Sequence, residues 1–261
     1  MLPRKYLLPN VIEMNYQAGH KLGVNVYLID GGDEFALIDV GYLDAVEDTI
    51  ELIRQMDFNL SKCKMLIATH ADADHVQGLA RAKEILKTQV GAHPSSIQPL
   101  EEGDEILTFA SIKAHDIDIP MPKCKVDVPL NEGDVIEVGS QKLHVWHTPG
   151  HTDGHLSFKM NNLLFSGDNI YKDSCVGAID AHHGSDIPDF IRSLKRIQND
   201  DAEYLLPSHG PAFKRDNRIL KKAIDRLTQY QYMADFGTCA VSWPLLEQWE
   251  ADVAKGKMPD L

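Results

Sequence analysis

Residues 69–78, THADADHVQG, place His70, Asp72, Asp74 and His75 within six positions, directly after the apolar run at 64–68. Imidazoles and carboxylates gathered where a buried strand ends can ligate a divalent metal or carry protons. The simpler account, an Asp capping the helix that follows, employs one carboxylate and leaves the other groups without a purpose. Three later stretches repeat the arrangement. The Pro-Gly turn in HTPGHTDGH (147–155) presents His151, and there His147 and His155 read as hydrogen-bonded loop residues. LLFSGD (163–168) ends in Asp168, and YLLPSHG (204–210) delivers His209. Four apolar strands thus each end in a His or an Asp. If the ends meet on one edge of a layered β fold, their carboxylates repel one another unless cations neutralise them. A metal centre is the expected result.

The elements that must position these groups follow from periodicity. GVNVYLIDGGDEFALIDVGY (23–42) predicts a β-hairpin, 43–56 a helix, KMLIAT a buried strand, 75–86 a helix and 89–93 a short strand. Several strands follow between 125 and 147, then a hairpin around Asn161 and Asn162, a helix over 187–198, a strand and loop over 203–210, and a long helix over 217–236. β-Hairpins followed by strand–helix units, twice over, imply α+β architecture with mixed sheets packed face to face and helices outside. No linker divides the halves, so residues 1–216 are expected to form one domain, with 217–261 a helical extension packed on it. That extension, with Trp243 and Trp249, is a candidate roof for the pocket or face of a homodimer.

Composition narrows the partners. The chain of 261 residues carries a net charge of −13, which disfavours phosphate backbones and anionic lipid, so neither nucleic acid nor membrane is expected as a partner. The start, MLPRKYLLPN, has no apolar h-region, and no signal peptide is read there. Cys63, Cys124, Cys175 and Cys239 lack CxxC spacing, which suits buried small hydrophobes in a reducing cytoplasm.

In order, spacing and flanks these motifs resemble the metallo-β-lactamase-fold hydrolases, whose first motif is HxHxDH, followed by TPGHT, a GD and a final His after a strand. The resemblance covers about residues 20–210. It implies a four-layer αββα sandwich of two mixed β-sheets with a dinuclear site on one edge. Carried over by position, His70 and His151 match ligands of the first metal, and Asp74, His75 and His209 ligands of the second. Asp168 matches the bridging carboxylate, and Asp39 in ALIDVG the structural aspartate.

The sequence departs from that pattern at Asp72, which stands where the family has its second His. Three carboxylates and a bridging hydroxide would make a centre of two divalent ions formally neutral, where the parent pattern keeps one positive charge. The pKa of bound water then rises, and preference shifts from zinc towards iron or manganese, although zinc accepts carboxylate. Asp72 is shorter than an imidazole, so direct ligation, ligation through water and an empty first site all stay open, with direct ligation ranked first. Metal-bound hydroxide hydrolysis is the default chemistry. Similarity to the glyoxalase II-like and lactonase branches implies a small-molecule ester, thioester or lactone substrate, with Asp74 and Asp168 in catalytic roles. Tyr171, Lys172, His182 and His183, just after the Asp168 strand, are the candidate substrate contacts. A non-haem iron redox protein and a degenerate, non-catalytic metal-binding member are the alternatives.

Overall fold

The computed structural model describes residues 2–15, 23–113, 116–180 and 183–232, together with Ala251 and Lys255. Two six-stranded sheets carry the fold. The first runs in the order β1 (Val11–Met14), β2 (Val26–Asp30), β3 (Phe35–Ile38), β4 (Cys63–Ile67), β5 (Gln89–Ala92) and β8 (Val128–Pro129). Its pairs are antiparallel from β1 to β3 and parallel from β3 to β8. The second is ordered β14 (Phe213–Lys214), β13 (Tyr204–Pro207), β12 (Leu163–Gly167), β11 (Leu156–Met160), β10 (Gln141–His147) and β9 (Val135–Val138), with β12 and β13 parallel and the rest antiparallel. A two-stranded ribbon, β6 (Ser111–Ile112) and β7 (Ile117–Asp118), stands apart.

Strand alternation explains the layers. Along β2, Tyr27 and Ile29 face the opposite sheet, where they meet Val145, Phe158 and Phe165. Val26 and Leu28 point the other way, into the cluster beneath α1 (Val46–Gln55) and α3 (Leu79–Leu86). On the second sheet Leu164 and Leu205 pack under α5 (Ile187–Asn199) and α6 (Asn217–Tyr230). Both sheets are therefore covered on both faces, as the αββα expectation requires. The inter-sheet layer is dense: truncating the fully buried Phe165 to alanine would cost about 3–5 kcal/mol.

The helix expected over 75–86 is two helices, α2 (Ala73–Val76) and α3. The Gly78 amide donates to Gly41 O at 2.9 Å, which takes it out of the helical ladder. The Gln77 side chain is drawn off to the Leu43 amide and Pro120 O. β1 and α4 (Pro94–Glu102) were not expected from periodicity. Pro94 and the Ser95 amide bonding back to His93 Nδ1 start α4, and Gly103, at a φ of 64°, ends it. The hairpin at Asn161 forms as expected, with Asn161 at a φ of 53°. Cys63 and Cys124 are buried, but Cys175 is exposed, in a turn closed by the Tyr171 amide donating to Cys175 O. Trp243 and Trp249 lie outside the described residues, as does Cys239. α6, where the expected extension begins, packs on α5 through Leu220, Ala223 and Leu227.

Candidate metal centre

The loops leaving β4, β10, β12 and β13 bring His70, Asp72, Asp74, His75, His151, Asp168 and His209 to one end of the sandwich. Local geometry drives each group inward. Gly167 takes a φ of 55° at the end of β12, where a Cβ would come within 2.4 Å of His155 Nε2, and the turn aims Asp168 at the other donors. Gly150, at a φ of 141°, lies so close to α5 that a Cβ would sit 2.3 Å from Phe190 Cα. That contact seats the loop carrying His151. Asp72 occupies the N-cap position of α2, yet its side chain caps nothing and points into the cluster, so helix capping does not explain it.

Three donors form one triangle. Asp72 Oδ2 lies 3.1 Å from His151 Nε2 and 3.5 Å from His70 Nε2, and the two imidazole nitrogens are 3.2 Å apart. A second group is Asp74, His75 and His209, where Asp74 Oδ2 lies 3.6 Å from His75 Nε2 and 3.3 Å from His209 Nε2. Asp168 stands between them, 3.7 Å from His151, 3.6 Å from His75 and 3.6 Å from His209. Ligand bonds of about 2.0 Å place neighbouring donors of a tetrahedral ion about 3.3 Å apart, so each group could hold an ion.

The far nitrogen of each imidazole is fixed by a different element. His75 Nδ1 meets Asp39 Oδ2 at 2.9 Å, His151 Nδ1 donates to Ala178 O at 2.8 Å and His209 Nδ1 to Gly23 O at 2.7 Å. The Thr69 hydroxyl donates to Asp39 at 2.9 Å and so accepts from His70 Nδ1, also at 2.9 Å. Every Nε2 is left facing the centre, the orientation that metal-ligating histidines take from their surroundings, and offers its lone pair once the proton is lost. Buried His75 Nε2 and Asp168 Oδ1 have no hydrogen-bond partner within the protein and face each other across 3.6 Å, a pairing that suits donors to a shared cation. The donor set therefore fits divalent ions. Asp39, the group expected in a structural role, also accepts from the Thr69 amide and from Ser208 Oγ, which links both sheets to the site.

Charge is shared within the cluster. Burial alone would raise the Asp72 carboxyl, but His183, His70 and His151 hold it well below the usual range. Burial opposes protonation of His151, yet Asp72 and Asp168 push it up to about 9. His75 and His209 are raised against burial by neighbouring aspartates. His155 is lowered well below its ordinary value by burial and by His70, and its neutral Nε2 accepts the Asp168 amide at 3.0 Å. It is the hydrogen-bonded loop residue expected, and it also orients Asp168. His147 likewise bonds Asp153 O at 2.7 Å.

A cavity of about 670 Å³ opens onto the centre. Asp72, Asp74, His151, Asp168, Tyr171 and His209 form its polar floor, and Phe109, Ile112, Ile117, Ile119, Val176 and Ile179 its apolar walls. Of the expected substrate contacts, Tyr171 lines this cavity, whereas Lys172 is exposed and does not. His183 is buried against Asp72. His182 lies outside the described residues. The apolar wall leaves no strong periodic signal in the sequence, since Ile112 and Ile117 sit in two-residue strands and Ile119 follows them in a loop.

A family model described as the metallo-beta-lactamase superfamily matches residues 21–209. The chain belongs to that superfamily. An acyl-coenzyme A thioesterase, MBLAC2, of Gallus gallus is 26% identical over 250 residues, covering 88% of this chain and 86% of its own. The metallo-beta-lactamase family protein TTHA1429 from Thermus thermophilus superposes with a TM-score of 0.72 at 22% identity, covering 87% of this chain and 82% of that one. A crystal structure of TTHA1623 in a di-iron-bound form superposes at 0.65 with 28% identity, covering 82% and 98%. Within the superfamily this chain is a hydrolase. Among the described residues no helix is long and apolar enough to cross a membrane.

Proposed function

We propose that the protein hydrolyses a thioester carrying an apolar acyl group, on two divalent metal ions. His70, Asp72 and His151 would hold one ion, Asp74, His75 and His209 the other, and Asp168 would be shared between them. The observation that carries the reading is the set of inward Nε2 atoms and carboxylate oxygens spaced 3.1–3.7 Å apart at the floor of an apolar-walled cavity. Similarity to an acyl-coenzyme A thioesterase supports the thioester over a lactone or β-lactam. Zinc suits the imidazole–carboxylate set, and the third carboxylate extends it towards iron and manganese. When bound, such ions activate water and polarise a carbonyl oxygen.

The chain's own groups do the rest. The apolar walls of Phe109, Ile117 and Ile179 take up the acyl chain and exclude water from around the scissile carbonyl. Asp74, on the cavity floor, accepts the proton of the attacking water. Burial and the adjacent Asp168 keep the Tyr171 hydroxyl protonated, so that it donates to a substrate oxygen. The test is a panel of acyl-coenzyme A thioesters, lactones and a β-lactam, assayed before and after chelation and with metal restored. Metal-dependent turnover that favours thioesters and rises with acyl length supports the reading; a metal-loaded enzyme that prefers lactones overturns it.

One observation favours a second reading. The carboxylate-rich donor set resembles that of proteins using non-haem iron, and one structural relative was crystallised in a di-iron-bound form. Coloured, iron-loaded protein with oxygen- or peroxide-dependent activity and no thioester turnover would support it.

A further inference from the structure

Asp72 stands where the superfamily's first motif has its second histidine, and the fold brings it another histidine from 111 residues further along the chain. His183 Nε2 meets Asp72 Oδ1. The imidazole is buried and stacked on Phe109, with ring centroids 3.7 Å apart and planes at 25°. Its backbone amide donates to Asp180 O at 3.0 Å. The other carboxylate oxygen, Oδ2, completes the triangle with His70 and His151, whose edges of 3.1–3.5 Å match those between donors around one ion.

We propose that His183 is a positioning residue for the first metal site: by holding Oδ1 it makes Asp72 present Oδ2 alone as a donor. This rests on the metal-centre reading above but not on the substrate. Unrestrained, a carboxylate can turn about its last torsion, chelate through both oxygens or swing away, and an Asp shorter than the imidazole it replaces has little reach to spare. Engaging one oxygen removes those alternatives, as outer partners of ligating groups do elsewhere. The same loop also steadies the neighbouring ligand, because Ala178 O accepts from His151 Nδ1 and Ser185 Oγ donates to His151 O at 2.5 Å. An aspartate and a remote histidine together thus occupy the role of the missing imidazole. His183 accordingly acts through Asp72 rather than by touching substrate.

The test uses the full chain and zinc alone, so the result stands apart from any thioesterase assay. Metal-free protein is titrated with zinc against a chromophoric chelator, and the sites are assigned by anomalous diffraction. His183→Ala is expected to weaken the first site about 10- to 100-fold and leave the second unchanged. His183→Gln, which keeps a donor near the Nε2 position, recovers part of the loss. In an Asp72→His background, His183→Ala has no further effect, since no carboxylate remains to be held. The proposal is overturned if His183→Ala leaves the first site unchanged, or weakens it equally in the Asp72→His background. Equal loss of both sites in the Ala and Gln variants also overturns it, in favour of a general packing role.

Discussion

The two halves of the centre are held differently. Asp74, His75 and His209 follow the superfamily's motif and are braced by the sheets themselves: Asp39 at the end of β3 fixes His75, and Gly23 O, just before β2, fixes His209. His70, Asp72 and His151 include the departure from the motif, and loop groups brace two of them, Ala178 for His151 and His183 for Asp72. Where the sequence departs from the superfamily's motif, the partner of the departing side chain lies in a loop rather than at a strand end. The contrast teaches that a donor is specified by its partner as much as by its own identity.

The largest expected effect comes from the group common to both halves. Asp168→Ala should abolish tight binding of both ions and lower turnover on the order of 10³-fold or more. Metal analysis beside a thioesterase assay checks this, and a variant that keeps both ions would undo the division into halves. Next, Asp39→Asn keeps the left-handed backbone that Asp39 needs, at a φ of 57°, but weakens the hold on His75. Zinc at the second site should bind about 10- to 100-fold more weakly, with a smaller loss at the first, because Asp39 holds His75 directly but reaches His70 only through Thr69. Equal weakening of both sites would show that the sheets brace the whole centre.

How far these features could be read from the sequence follows the same contrast. His70, His151, Asp168 and His209 each terminate a local apolar run, so a one-dimensional pattern suffices to find them. Asp39 is recognisable through the resemblance of its strand. The partnership of His183 with Asp72 joins loops that follow strands of opposite sheets, and no local pattern carries it. The break in the 75–86 helix is hidden for the same reason, since Gly41 and Pro120 lie far from Gly78 and Gln77 in sequence. The ribbon that carries Ile112 and Ile117 is too short for periodicity to reveal.

A smaller effect is on pH. In the metal-free centre His151 is held up to about 9, so below that value it carries a proton, whereas a metal ligand must be neutral. Zinc binding at about pH 7 should therefore expel protons, and apparent affinity should climb with pH and level off above about 9. Calorimetry in buffers of different ionisation enthalpy measures this; proton release independent of pH across that window would count against it. The smallest effect belongs to the apolar wall. Phe109→Ala should raise KM for long acyl chains about tenfold with little change in kcat, and leave short chains nearly unaffected. Since Phe109 also stacks on His183, any accompanying loss of first-site zinc would gauge how far the wall and the loop act together.

Zinc stoichiometry tests the central claim most directly. Metal-free protein titrated with zinc should take up two ions per chain, His151→Ala one and His209→Ala one, with the vacated site seen at opposite ends of Asp168 in the two variants. A parent chain that binds one ion or none, or variants that each still bind two, would contradict a two-ion centre built from these seven side chains.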